Sequence, residues 1–163
     1  MNLLVLELHD YNPKRFYYLE PKKNLVMNGI FTKLIYTDSF FTMNEVFFCF
    51  PVQYTYIDYP QENDQYTVYF DKTQVQNASS LEKLNKLETE ILLNYAMFTN
   101  CRKESCRSLV NKLEQGFFKI RKTEVHGVGT PPKHFLLKIS GIWEGDSKYG
   151  LTAKLVESLV HNS

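Results

Sequence analysis

Cysteine is scarce in this sequence, and no long apolar run interrupts it. The three cysteines, Cys49, Cys101 and Cys106, are odd in number and far from evenly spaced. Such a set does not build a disulfide framework. No stretch approaches the roughly 20 apolar residues of a membrane span. The opening run Met1-Asn2-Leu3-Leu4-Val5-Leu6-Glu7 lacks a basic segment and is too short for a secretory signal. A reducing, intracellular setting is therefore expected. An excess of one charge is missing too. Nineteen Lys and Arg against 18 Asp and Glu leave a net charge of +1, which excludes a strongly basic domain made for polyanions.

Catalytic signatures are also missing. No two of His9, His126, His134 and His161 have the i, i+4 spacing of a helical zinc pair. Cys101 and Cys106 have no second cysteine pair, so small, mostly buried thiols are expected there rather than metal ligands. Gly127 to Lys133 has the look of a phosphate loop without its spacing. Pro131 and Pro132 remove amide donors that would cradle phosphate, so a hairpin tip is expected. There is no G-x-S-x-G elbow and no kinase signature. Glu7, Asp10 and Asp58, which a nuclease would gather around a divalent ion, are scattered in sequence. The expectation is a binding protein with no enzymatic activity, no metal and no cofactor.

What is abundant is aromatic. Twelve Phe, 11 Tyr and one Trp make up 15% of 163 residues. These residues favour strands, stack on nucleobases and anchor protein interfaces, and composition leaves all three uses open. A hydrophobic share of 44% argues against disorder. The length suits one domain, residues 1–163, with a real core. Charge is unevenly spread. Cys101 to Thr123 holds seven Lys and Arg against two Glu, whereas Tyr54 to Asp71 holds four acidic residues and no basic one. A basic face and an acidic face are expected from this.

Along the chain, Leu3 to Leu6 predicts a buried first strand and Arg15 to Leu19 a second. Asn24 to Tyr36 is extended with a break at Asn28-Gly29, a hairpin signal. Asp38-Ser39 marks a turn, and Pro51 breaks the aromatic stretch from Glu45 to Tyr59. Tyr66, Val68 and Phe70 alternate with polar or outward neighbours as a strand. The period then changes. Leu81, Leu84, Ile91, Leu92 and Tyr95 predict a helix from about Ser80 to Phe98, opened by a capping box of Ser79 and Glu82. A shorter helix is predicted from about Glu104 to Gln115, ending at Gly116. Strands return at Phe117–Arg121, Phe135–Ser140 and Tyr149–Leu155, with a loop from Val125 to Lys133 and a turn at Gly145-Asp146. The predicted fold class is β-rich α+β. The expected architecture is a Greek-key, OB-like barrel with a two-helix insert at about 79–115 between strands.

A single-strand binder needs cations for phosphates and exposed rings for bases. Several segments offer both. Lys22 and Lys23 lead to Phe31, Lys33 and Tyr36. Lys119, Arg121 and Lys122 follow Phe117 and Phe118. Trp143 lies near Lys148, Tyr149 and Lys154. On alternating strands a cation and a ring share one face. Each has an ordinary structural rival. Phe31 and Phe118 are also core candidates, Trp143 a barrel plug, and Lys22 and Lys23 a solvated face.

Two stretches carry a resemblance, KKNLVMNGIFTKLIYTDSFFTMNEVFF from Lys22 to Phe48 and FLLKISGIWEGDSKYGLTAKLV from Phe135 to Val156. Between them lie LEKLNKLETEILLNY and SLVNKLEQGFFKI. This order resembles small OB-fold-like, single-stranded-DNA-binding proteins of large DNA viruses and of virus-derived Maverick (Polinton) elements. The resemblance implies a replication or recombination accessory protein that coats single strands. It gives weight to Lys33, Tyr36, Lys138, Trp143, Tyr149 and Lys154. Ala153 stands where the resemblance leads one to expect an aromatic residue, and Glu157 to Ser163 offers no acidic tail for recruiting partners. The functional expectation is sequence-nonspecific binding of single-stranded nucleic acid, with self-association. The alternative is a protein-interaction or self-assembly module whose rings form an aromatic interface.

Overall fold

The structure is a computed structural model and describes residues 4–24, 28–60, 62–122 and 134–158. Asn12 caps a single 3-10 turn at Pro13–Arg15. Then come β1 (Phe16–Tyr18), β2 (Lys22–Asn24), β3 (Gly29–Thr37), β4 (Thr42–Met43), β5 (Val46–Phe50), β6 (Tyr54–Asp58) and β7 (Gln65–Phe70). The helical insert follows as α1 (Val75–Thr99), a short β8 (Glu104–Cys106) and α2 (Ser108–Leu113). The chain returns to strands in β9 (Phe117–Arg121), β10 (Phe135–Glu144) and β11 (Lys148–Glu157). The fold is β-rich α+β.

Two sheets form. The larger runs β1-β3-β10-β11-β8, with β2 and β4 also on β3 and β5 also on β10. The smaller runs β6-β7-β9. β10 carries two neighbours along one edge. Residues Phe135 to Ile139 pair with β5, and Gly141 to Glu144 pair with β3. A register shift between Ile139 and Gly141 marks the change. An extra residue in one strand bends it and increases its twist, and the sheet is curled into a half-barrel.

α1 lies against the core side of this curl. Leu81, Leu84, Leu87, Ile91, Leu92 and Tyr95 are buried in one cluster with Leu34, Phe48, Leu137, Ile139 and Ile142 of the sheet. Each such aliphatic side chain contributes about 1.5–3 kcal/mol by leaving water. Tyrosine hydroxyls fix the helix to its surroundings. Tyr11 donates to Glu90 at 2.5 Å, Tyr18 to Asn94 at 2.8 Å, and Tyr149 to the Leu92 carbonyl at 3.3 Å. From the helix itself, Tyr95 donates to Glu144 at 2.7 Å. Burial first, then the bond to Glu144, pushes the Tyr95 phenol up to about 12. Burial also pushes the Tyr11, Tyr18 and Tyr149 phenols upward. These hydroxyls stay protonated and remain donors.

Several local expectations need correction. α1 starts at Val75, well before Ser80, and Ser79 lies within it. Gln74 is the N-cap and accepts from the Asn77 amide. The buried Asn77 side chain ties this first turn down. It accepts from the Gln53 amide and donates to the carbonyls of Gln53 and Asp71. The second helix is only Ser108–Leu113, because Glu104 to Cys106 pairs in parallel with Lys148 to Gly150 instead. The expected first strand reduces to a bridge between Leu6 and Phe48, with Leu4 half exposed and residues 1–3 outside the described residues. β2 and β3 do form a hairpin, but Gly29 pairs with Asn24 inside the ladder and is not a turn residue. A Cβ there would stand 2.3 Å from the Glu144 carbonyl oxygen. The loop expected at Val125 to Lys133 lies outside the described residues.

α2 begins at Arg107 without a side-chain cap of its own. Glu88 of α1, fully buried, supplies it from a distance. Its two carboxylate oxygens accept from the Leu109 amide at 3.0 Å and the Val110 amide at 3.1 Å. Burial pushes this carboxyl up, against the opposing pull of the two amides and of Arg107. Removing the acceptor strands two buried donors, at about 1–3 kcal/mol for each. Glu88→Ala is therefore expected to lower stability by about 2–6 kcal/mol. Glu88→Gln, which keeps one acceptor oxygen, is expected to fall between it and the native protein. Denaturant midpoints of the three proteins check the order.

Candidate nucleic-acid interface

The alternation of the strands sorts the expected site residues by face. On the large sheet, Lys33, Gly141 and Thr152 form one cross-strand row. Lys22, Phe31, Trp143 and Gly150 form the next. A third row holds Phe47, Lys138 and Lys154. All point away from the core, because their neighbours Leu34, Ile142, Leu151 and Leu155 point into it. Two glycines make room for rings on this face. A Cβ on Gly141 would meet the Phe31 ring at 2.7 Å, and one on Gly150 would meet the Trp143 ring at 2.8 Å. Phe31 therefore lies over Gly141, and Trp143 over Gly150.

Lys22, Lys33, Lys148 and Lys154 are exposed around these rings. Lys138 is engaged otherwise. Its ammonium pairs with Glu45 at 3.1 Å and stands 6.0 Å from the centre of the Phe47 ring. Lys23 is exposed but pairs with Ile30, out of phase with Lys22. Tyr36 and Tyr149 do not belong to the surface, contrary to the sequence reading. Each is only 4% exposed. Tyr36 packs on Phe16 and Phe41 and accepts from the Asn12 amide, and Tyr149 packs on Tyr95. Neither ring has a face left for a base.

The small sheet brings together residues that sequence reasoning only half found. Tyr56, Tyr69 and Phe117 stand in one cross-strand row on its outer face. Their centroids are 5.8 Å and 5.9 Å apart, Tyr56 to Tyr69 and Tyr69 to Phe117. These are the separations of offset aromatic pairs. Tyr56 is 60% exposed and Tyr69 38%. The next row holds Asp58, Thr67 and Lys119, and the one after it Gln65 and Arg121. Lys119 and Arg121, both exposed, thus share the face of the ladder as expected. The Lys122 ammonium turns back to donate to the Pro60 carbonyl at 2.8 Å.

Tyr56 was hidden by a bulge at Thr55, which breaks the alternation of β6. Tyr69 had a readable signal, since it is out of phase with the buried Tyr66, Val68 and Phe70.

The acidic and basic segments of the sequence do not form opposite faces. They pair with each other as β7 and β9 in the small sheet. Asp58 stands in the row next to the ladder, and the chain from it to Asp64 runs on toward the Arg121 end of this sheet. A groove of about 460 Å³ lies between α2, β9 and β11. Lys112, Lys119 and Lys154 line it, Phe117 and Leu113 are among its apolar walls, and no acidic side chain lines it among the described residues. Lys112, Lys119 and Lys154 make no salt bridge among the described residues.

Of the cysteines, Cys106 is in register with Gly150 at the edge of the Trp143 row. All three are free and half-buried. Cys101 donates to Glu144 at 3.7 Å. That carboxylate is held below its usual range, because its bonds to Tyr95 and Lys103 outweigh the effect of burial.

The contact between Trp143 and Gly150 has a spectroscopic consequence, since Trp143 is the single tryptophan of the chain. Gly150→Ala puts a methyl group 2.8 Å from the ring and 2.8 Å from the Cys106 carbonyl oxygen. The ring is then lifted into water. A red-shifted emission maximum and stronger quenching by iodide are expected, with a loss of stability of about 1–3 kcal/mol from overpacking. An unchanged spectrum would mean that the ring does not rest on Gly150. Compared with protein-family models, curated proteins and solved structures, the chain matches none.

Proposed function

We propose that this chain binds single-stranded nucleic acid without strong sequence preference, as a binding protein and not as an enzyme. The observation that carries the reading is the row of Tyr56, Tyr69 and Phe117 with Lys119 in the next row. Rings in a row offer stacking faces to successive bases, and every base has such a face. The adjacent lysines meet the phosphates. A duplex keeps its bases stacked inside and gains nothing from the ladder, so the single strand is preferred. An OB-like barrel is the architecture proposed with it. The curled large sheet, the second sheet and the helices inserted between β7 and β9 support that assignment. The chain would then serve as a replication or recombination accessory of the kind found in large DNA viruses and Maverick elements, acting inside the cell.

A second reading, self-assembly, rests on a different patch. Leu93, Met97 and Phe98 are 60%, 85% and 62% exposed on the last turns of α1. Ile91 to Cys101 contains no charged residue. An exposed apolar patch of this kind marks a protein contact. It lies on α1, away from the ladder strands, so both readings can hold at once.

Fluorescence anisotropy with labelled oligo-dT and a duplex of equal length, at two salt concentrations, tests the first reading. Single-strand binding that weakens as salt rises is expected. Tyr69→Ala is expected to weaken it by about 5- to 150-fold, the effect of one lost stacking partner. Lys119→Gln is expected to reduce the salt slope by about 0.7, the value for one phosphate contact on a single strand. Absence of single-strand binding at low salt, or equal affinity for the duplex, would overturn the proposal.

A further inference from the structure

The ladder on the small sheet and the ring-bearing face of the large sheet belong to different sheets, yet two residues join them. Phe117 is the last ring of the ladder and also a wall of the lysine groove. Lys154 lines the same groove and stands in the outward row of β11 with Lys138. Thr152, two residues before Lys154 and on the same face, is in register with Gly141, over which Phe31 lies. Gly150, two residues further on, lies beneath Trp143. The groove itself has no acidic lining among the described residues. The acids nearest the succession are Asp58, across Thr67 from Lys119 in the row next to the ladder, and Glu45, which is paired with Lys138 in the row of Lys154.

We infer that the binding surface is one continuous track that crosses the seam between the two sheets. It runs from Tyr56 through the Lys112–Lys119–Lys154 groove to Phe31 and Trp143. This rests on the reading of the ladder as a base-stacking platform, and it adds a length and a second anchorage. Bases stack at both ends, and the groove between them holds backbone. The occupant is fixed by complementarity: three lysines with no acid among them suit phosphates, and the flanking rings suit bases. A ligand confined to the ladder leaves the Trp143 face empty. Only a strand long enough to cross the seam reaches both.

The test compares labelled oligo-dT of about 5 and about 20 nucleotides, lengths that bracket the reach of a single domain of this size. The longer strand is expected to bind more tightly than its extra binding registers alone provide. In the native protein it is expected to quench Trp143 fluorescence, and the shorter strand is not. Trp143→Ala and Lys154→Gln are expected to weaken the long strand by about 5- to 100-fold and the short one by much less, whereas Tyr69→Ala weakens both alike. If Tyr69→Ala weakens both strands, but the long strand neither quenches Trp143 nor responds to Lys154→Gln, the track ends at the ladder. The inference then fails and the single-strand reading stands. If the native protein binds neither strand, that reading fails and takes the inference with it. The quenching measurement uses the unmodified chain, so a variant that does not fold leaves the test intact.

Discussion

The position of α1 against the curled sheet is the constraint on which the rest of the structure depends. A 25-residue helix with one apolar face needs a partner surface of matching length. The core face of the sheet provides it, and the hydroxyls of Tyr11, Tyr18, Tyr95 and Tyr149 set the helix in register against it. Those bonds reach from Glu90 to Tyr95, the second half of the helix. Asn77 fixes the first half by closing bonds to the Gln53 and Asp71 segments. α2 is a consequence of the same placement, since its first amides are satisfied by Glu88 of α1. The groove between α2, β9 and β11 therefore exists only because α1 holds α2 where it is.

The helix also divides the aromatic residues into two populations with different work. Tyr18, Tyr95, Tyr149 and Phe48 are needed inside, where ring area fills a wide core and the tyrosine hydroxyls find acceptors. The rings outside have no such partner. Tyr56 and Tyr69 touch each other and Phe117 while keeping faces in solvent. An exposed ring costs solubility and invites association. Three such rings aligned across a sheet, with Lys119 in the adjoining row and Lys112 and Lys154 in the groove, are the feature of this surface least explained by stability.

Much of the β framework was legible because period-2 alternation in β7, β9, β10 and β11 reports a half-buried strand directly. The outward lysines of the large sheet were legible for the same reason. What stayed hidden was set by tertiary contacts. Glu104 to Cys106 has no strong strand preference and becomes a strand only because the first residues of β11 present an unpaired edge. The start of α1 was missed because Gln74 is not a common capping residue and Asn77 draws its partners from distant segments. Tyr36 and Tyr149 were placed on the surface when the phase of their strands puts them inside. A shift of one residue exchanges the two faces of a strand, and neither Leu34-Ile35-Tyr36-Thr37 nor Lys148-Tyr149-Gly150-Leu151 alternates cleanly enough to fix the phase. The bulge at Thr55 did the reverse to Tyr56.

The near-neutral charge of the chain bears on how such a surface would hold a nucleic acid. A strongly basic binder draws most of its affinity from released counterions and loses it quickly in salt. Here the cations along the seam are few, Lys112, Lys119 and Lys154 in the groove with Lys22 and Lys33 beyond it. The number of phosphates they can neutralise sets an upper limit on the electrostatic contribution. Stacking must then supply the larger part, at about 1–3 kcal/mol for each base. Stacking depends little on salt or sequence, but it requires bases that are already unpaired. A surface with many rings and few cations therefore discriminates between single and double strands by what it lacks as much as by what it presents. On the proposed reading, duplex phosphates alone would find too little charge here to bind well, and only a strand with free bases would use the rings.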